Sequence, residues 1–401
     1  MNKLLYLVHR IPYPPNKGDK IRSFNFLRAL AADYEVYLGC FIDDPDDKHY
    51  IEALKPYCQE CLCLEIQPKV QKIKSLSALA TGKAMSLPYY YSRELQTWVD
   101  SLIAEQGIER ALIFSSPMAQ YLEKHAGLKR IADFVDIDSD KWQQYAAKKN
   151  WPAKWIYQRE SGTLLEFERK IAALFDTTLF VSAQEAALFK TLAPAAAEKI
   201  SFVENGVDTV FFDPGLTFQS PFRADELAIV FTGAMDYWAN VDAVIWFAQQ
   251  VFPIIRQQVP QARFYIVGSK PIKAVQLLAE NDPAVIVTGR VEDIRDYLAF
   301  AHFVVAPLRI ARGIQNKVLE ALAFAKVVLA TSMAMEGIQG EAGLNVTVTD
   351  TPEQFAAESL SLLAQPQIQA MNNREYVQSS FSWHKSGLQL QRLLADGEPD
   401  Q

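Results

Sequence analysis

The feature that most constrains this chain is its rhythm. Short apolar runs rich in β-branched and aromatic residues alternate with longer amphipathic stretches, in two successive series. The first series of strand candidates reads "KLLYLVH", "YEVYLGCF", "CLCLEI", "RALIFS", "RIADFVD" and "TTLFVS", with helical stretches such as Lys20–Ala32 and Arg93–Gln106 between them. The second reads "LAIVFTG", "RFYIVG", "AVIVTG", "HFVVAP", "VVLAT" and "NVTV", separated by stretches such as Val241–Val259 and Val291–Ala301. Alternation of this kind specifies parallel α/β sheets. Strands that are apolar almost throughout need cover on both faces. At 401 residues the chain exceeds the size at which one core keeps growing, so two domains are expected. The turn-rich segment "NGVDTVFFDPGLTFQSPFRADE" reads as a linker. The expected organisation is an α/β domain over 1–204, a linker over 205–226, a second α/β domain over 227–380, and a helix and tail over 381–401. Two such domains make a cleft, and ligands of open α/β sheets bind outside the carboxyl ends of the strands.

Several classes drop out. The net charge of −7 and the absence of any RNA- or DNA-binding motif argue against a nucleic-acid partner. No run of 18 apolar residues occurs, and Leu4–Val8 is too short for a signal-peptide core, so a cytoplasmic protein is expected. The four cysteines are Cys40, Cys58, Cys61 and Cys63. "CQECLC" holds one C-x-x-C without a second pair or histidines at ligand spacing, so these read as small side chains on a half-buried strand. No metal site is expected.

The ligand class follows from the strand ends. No G-x-G-x-x-G or G-x-x-x-x-G-K-[ST] is present, which counts against a dinucleotide fold and a P-loop. Three strands of the second series end in glycine, in "FTGAMDYWAN" (Gly233), "YIVGSKP" and "VTGRVED". Small residues there let backbone N–H groups approach a ligand. A fourth ends "APLRIARGIQNKVLE", which sets Arg309, Arg312 and Lys317 around the turn Gly313–Asn316. These cations either pair with Asp293 or Glu320, or they await an anion. Glu320, about one turn into the helix, is either an i,i+3 partner of Lys317 or an acceptor for vicinal hydroxyls. Phosphate plus ribose is a nucleotide.

Longer strings carry a resemblance. "TGRVEDIRDYLAFAHFVVAPL", "GIQNKVLEALA" and "ENGVD" resemble the donor domain of GT-B glycosyltransferases of family 4, or group 1. "RIPYPPNKGDKIRSF", "DFVDIDSDKW", "FTGAMDYWAN" and "RIARGIQNKVLEALA" resemble a subgroup of sugar transferases from bacterial exopolysaccharide clusters associated with PEP-CTERM and exosortase-type systems. The resemblance runs from residue 3 to about residue 385. It implies two Rossmann-like domains facing a cleft, with a C-terminal helix returning to the first domain. It also implies metal-independent hexosyl transfer from a nucleotide sugar, UDP-linked, to a lipid-linked or growing exopolysaccharide acceptor. No cofactor is implied beyond the nucleotide sugar as substrate. Glu320 matches the second glutamate of the family's E-x7-E motif, which binds ribose; the first falls at Arg312, a departure. Met235 stands where the family usually has a phosphate-binding arginine, so Arg309, Arg312 and Lys317 are the substitutes. Gly18, flanked by Lys17 and Lys20, lies in the family's first-domain glycine loop. Backbone groups near Arg290 and Val291 are the expected readers of the base. "SSPM" at Ser115–Met118 replaces a histidine frequent in the family.

Charge builds on the leaving diphosphate during transfer, and Lys317 at a helix start meets that need. In an inverting enzyme Asp136 or Asp138, just past the strand "RIADFV", takes the acceptor's proton; alternatively these aspartates serve the following helix, with Asp140 as its cap. "KVQKIKSLSALATGK" and "KWQQYAAKKNWPAKWIYQR" interleave lysines with apolar and aromatic residues. They are either the charged outer faces of core-packed helices or a peripheral contact with an anionic membrane. Two other readings remain: a GT-B sugar-nucleotide epimerase, and a non-catalytic nucleotide-sugar-binding scaffold.

Overall fold

Apolar runs become interior strands where helices cover both faces of a sheet, and both sheets of the computed structural model are built this way. The structure describes residues 2–15, 17–147, 150–311, 313–338 and 343–395. The chain divides into two units, residues 1–204 with 383–401, and residues 205–382.

The first unit holds β1 (Asn2–Val8), β2 (Tyr34–Ile42), β3 (Glu60–Glu65), β4 (Arg110–Phe114), β5 (Lys129–Val135), β6 (Thr177–Phe180) and β7 (Ile200–Phe202). They form one parallel sheet in the order β3-β2-β1-β4-β5-β6-β7. Along β1 the side chains alternate between two cores. Leu5 and Leu7 join one cluster, while Leu4, Tyr6 and Val8 join the other. The short strand β7 has no counterpart among the sequence expectations, because "ISF" is too brief for a period to register.

The second unit holds β8 (Leu227–Thr232), β9 (Ala262–Val267), β10 (Val285–Gly289), β11 (Phe303–Ala306), β12 (Val328–Ala330) and β13 (Val346–Val348). They form a parallel sheet in the order β10-β9-β8-β11-β12-β13 around a single core. In each sheet the order reverses once, at β1/β4 and at β8/β11. These are the doubly wound switch points, where adjacent connections part to opposite faces and leave a crevice.

Residues 205–226, expected as a linker, fall within the second unit. Arg374 donates to the carbonyls of Thr209 (2.9 Å) and Phe212 (2.6 Å), and Phe218 packs on Phe324. The last helix, Trp383–Leu394, belongs to the first unit. It lies against the helix Gly18–Leu30, where Gln391 donates to the Ala29 carbonyl at 2.9 Å. Gly387 leaves the room this contact needs, since a Cβ there would sit 2.7 Å from that of Ala29.

One buried ion pair ties the first unit together. Arg22, from the helix after β1, grips Asp133 on β5 through Nε (2.8 Å) and Nη2 (3.1 Å). Its Nη1 donates to the Val203 carbonyl just past β7 (2.8 Å). Both side chains are fully buried. Removing one partner strands a charge in the core. Asp133→Ala is therefore expected to destabilise the first unit by about 3–5 kcal/mol, read as a lowered midpoint in urea unfolding, whereas Lys48→Ala, which breaks only an exposed pair with Glu65, should leave the midpoint nearly unchanged.

Candidate active site

The second unit brings its strand-end glycines and its cations to one edge. Gly233 follows β8 with φ 155°, and Gly268 follows β9 with φ 159°. A Cβ on Gly268 would fall 1.7 Å from the Gly233 carbonyl oxygen, so the two turns sit back to back only as glycines. A Cβ on Gly233 would fall 2.7 Å from Asn240 Nδ2. Asn240, in the helix Trp238–Trp246, uses both ends of its buried amide. Its Nδ2 donates to the Ala234 carbonyl at 2.9 Å, and its Oδ1 accepts from Lys317 Nζ.

Lys317 lies in the first turn of the helix Asn316–Ala323, which follows β11. β8 and β11 flank the switch point, so the Lys317–Asn240 bond spans it. The ammonium also sits 4.9 Å from the centre of the Phe231 ring, a favourable cation–π distance. Burial pulls the Lys317 pKa down to about 8, with Glu320 drawing it back up. Burial pushes the Glu320 carboxyl up to about 7, with Lys317 drawing it back down. Both residues nonetheless remain only half-buried. No side chain caps this helix start, and Asn316 Oδ1 is buried without a hydrogen-bond partner among the described residues. Gly313 takes the left-handed conformation (φ 65°), with its carbonyl receiving Gln315 Nε2 at 2.9 Å.

The other expected donor residues distribute as follows. Arg309 forms a two-pronged pair with Asp242 (3.0 and 2.5 Å), so its charge is already matched on the surface. Arg312 lies outside the described residues. Arg290 is exposed and Val291 half-buried, both directly after β10. Asp293, one expected partner for these cations, pairs instead with Arg295.

In the first unit, Gly18 opens an exposed helix start beside exposed Lys17. Lys20 turns inward and pairs with Asp47 at 2.6 Å, so it offers no charge to solvent. Lys141 bridges Asp136 (2.8 Å) and Asp138 (3.1 Å). The two carboxylates hold the Lys141 ammonium well above its ordinary range against the pull of burial. The helix begins at Asp138, so Asp140 is not its cap but a first-turn residue, accepting from Gln144 at 2.8 Å.

Sequence reasoning passed over several groups here. Ser115 (φ 78°) and Val135 (φ 70°) are strained turns at the ends of β4 and β5. Beneath them Glu168, fully buried, accepts from Ser139 Oγ (2.5 Å) and Ser116 Oγ (3.5 Å). After β1, Arg10 joins Asp19 (2.5 Å) to Asp43 (2.8 Å), and His9 lies 3.4 Å from Asp19. Arg10 and His9 hold the Asp19 carboxyl well below its usual range, although burial works the other way. Asn240 was also missed, because its partner lies 77 positions away.

Residues 226–365 match the family described as "Glycosyl transferases group 1". Sucrose-phosphate synthase from Thermosynechococcus elongatus is 18% identical, covers 98% of each chain and superposes with a TM-score of 0.70. The Anabaena protein HepE, solved in complex with UDP, is 15% identical (98% and 99% covered, TM-score 0.64). WaaG, a glycosyltransferase involved in lipopolysaccharide biosynthesis, is 16% identical (98% and 100% covered, TM-score 0.63). No curated protein sequence matches the chain. The protein has the GT-B fold, and residues 226–365 of its second unit match the group 1 glycosyltransferase family.

Burial pushes the Glu168 pKa up to about 8, Ser139 lowering it and Asp138 raising it. A carboxyl whose folded pKa exceeds its unfolded value binds more protons when folded, so its ionisation costs stability as pH rises between the two values. Glu168→Gln is expected to gain stability relative to the parent between pH 5 and pH 8, on the order of 3 kcal/mol. Paired thermal melts at the two pH values measure this; a pH-independent difference would contradict it.

Proposed function

We propose that the protein is a glycosyltransferase that takes a hexose-type unit from a nucleotide sugar, UDP-linked, and passes it to a saccharide or lipid-linked acceptor. One observation carries this reading: in a group 1 domain, a lysine held by a neutral amide and a carboxyl one turn later stand at the switch-point helix start. The diphosphate is assigned to Lys317 and the Asn316–Ala323 helix start, and the ribose hydroxyls to Glu320. HepE, whose structures include complexes with UDP and with UDP-glucose, supports uridine as the base. The bond between the anomeric carbon and the diphosphate breaks, and the leaving oxygens gather charge that Lys317 offsets without a divalent ion. The acceptor oxygen bonds to the anomeric carbon and loses its proton, to Asp136 or Asp138 if configuration is inverted.

The test is turnover by purified protein on a panel of UDP-, GDP- and ADP-sugars. Lys317→Ala and Glu320→Ala should each lower UDP affinity by about tenfold or more, as expected for losing a charge-assisted contact. Donor affinity and turnover that survive both changes would sink the assignment. Isomerisation of the donor without acceptor would favour an epimerase.

The acceptor's setting is assigned to an anionic bilayer. The helix Pro68–Ser75 and the turns after it expose Val70, Ile73, Leu76 and Leu79 beside Lys69, Lys72, Lys74 and Lys83. Arg159 Nη2 donates to the carbonyls of Ala78 (2.6 Å) and Lys83 (3.2 Å), clamping this segment to the helix Ala153–Leu174. The start of that helix adds Trp151 (83% exposed), Trp155 and Lys154; Lys148 and Lys149 lie outside the described residues. Among the described residues no helix is long and apolar enough to cross a membrane. Such basic and aromatic faces lie on anionic headgroups. Co-sedimentation with phosphatidylglycerol vesicles, lost in an Ile73→Ser/Trp151→Ala double variant and weakened by salt, is the expected result; equal recovery with neutral vesicles would count against it.

A further inference from the structure

The Lys317 ammonium donates to a neutral amide, with the Glu320 carboxyl acting on it only through its charge, while several other cations at strand ends are in direct ion pairs with carboxylates. Arg309 faces Asp242, Lys20 faces Asp47, and Lys141 faces Asp136 and Asp138. An amide oxygen satisfies an ammonium proton without cancelling the charge, so a positive site is left for an anion. Asn240 fits this task by construction. Its Nδ2 is fixed on the Ala234 carbonyl, which aims Oδ1 at Lys317. The missing Cβ of Gly233 provides the space its amide occupies.

We infer that Asn240 is a positioning residue for nucleotide diphosphates, holding the Lys317 ammonium in place across the β8/β11 switch point, with Gly233 as the seat for its amide. The inference rests on the proposed donor site and names a residue that the nucleotide need not touch. The groups facing Lys317 are Glu320 on its own helix, Asn240 on the helix Trp238–Trp246, and the Phe231 ring on β8. Glu320 titrates on the acid side of Lys317, at about 7 against about 8. Nucleotide affinity should therefore fall below neutrality as Glu320 takes up a proton, and fall again above pH 8 as Lys317 loses one.

The experiment is calorimetric titration of the full-length protein with UDP across pH 6 to 10. Wild-type protein should show both limbs, and Lys317→Ala should lose the alkaline one. Asn240→Ala removes the oxygen that favours the charged amine. Its alkaline limb should move to lower pH, the acid limb should stay, and affinity at pH 7.5 should drop by about tenfold. Asn240→Asp adds a carboxylate beside the amine. Its alkaline limb should move to higher pH while affinity at pH 7.5 still falls, because the new charge repels the phosphates. Opposite displacements of one limb by two substitutions at one position are not what a merely structural side chain produces. Should Asn240→Ala fail to fold, judged by its melting curve, Asn240→Asp decides alone. A variant that binds UDP with the wild-type alkaline limb overturns the inference and leaves the donor assignment standing. Wild-type protein that binds no nucleoside diphosphate overturns both.

Discussion

A lysine ammonium partly withdrawn from water must be held by oxygen atoms, and the kind of oxygen decides what the lysine can do. At Lys317 the holder is the amide of Asn240, which carries no charge to subtract. At Arg22 the holder is the carboxylate of Asp133, and the pair closes on itself inside the core. The first arrangement keeps a positive charge available at the surface of a sheet edge. The second uses the same type of charge to fix a helix to β5 and to the end of β7. Both depend on burial, yet only the first leaves an anion something to bind.

Topology explains why that charge sits where it does. A parallel sheet covered on both faces leaves its strand ends as the places where backbone and side chains meet solvent. Where the strand order reverses, adjacent connections part and open a crevice. β8 and β11 are that pair in the second unit, and β1 and β4 in the first. The first unit gathers titratable groups and serine hydroxyls at the corresponding ends. His9 and Arg10 follow β1, Ser116 follows β4, and Asp136, Asp138 and Ser139 follow β5. The left-handed conformations of Ser115 and Val135 fall at the same edge, as conformational strain tends to do near functional groups. Glu168, bonded to serines from both turns, holds two such connections at fixed heights.

What the sequence made legible follows the range of each interaction. Twelve strands were readable because their apolar runs are local signals bounded by turn residues. β7 was not, because three residues, one buried and two half-buried, are too few to carry a period. The stretch 205–226 shows its turn residues plainly, but not that Arg374 holds it from more than 160 positions away. Lys317 and Glu320 stood out because both lie within about one turn of a helix start that follows a glycine turn. Asn240 and Asp242 did not, since each meets its partner only after the sheet forms. Pairings across a sheet edge leave no spacing rule in the chain. For the same reason Arg309 read as a spare cation, although Asp242 already answers it.

Lys317 and Glu320 also constrain each other in a way that bears on the proposed substrate. Burial works against both charges, pulling the lysine down to about 8 and the glutamate up to about 7. A diphosphate at the amine would favour its protonated form, and ribose hydroxyls donating to the carboxyl would favour its ionised form. The two ends of a nucleotide thus drive the pair toward full ionisation from opposite sides. A ligand with only one of these ends leaves the other residue carrying its burial penalty alone. Inorganic diphosphate or a free nucleoside therefore recovers less than its share of the binding free energy. Discrimination in favour of the whole nucleotide then arises from one turn of helix, without a dedicated contact for each fragment.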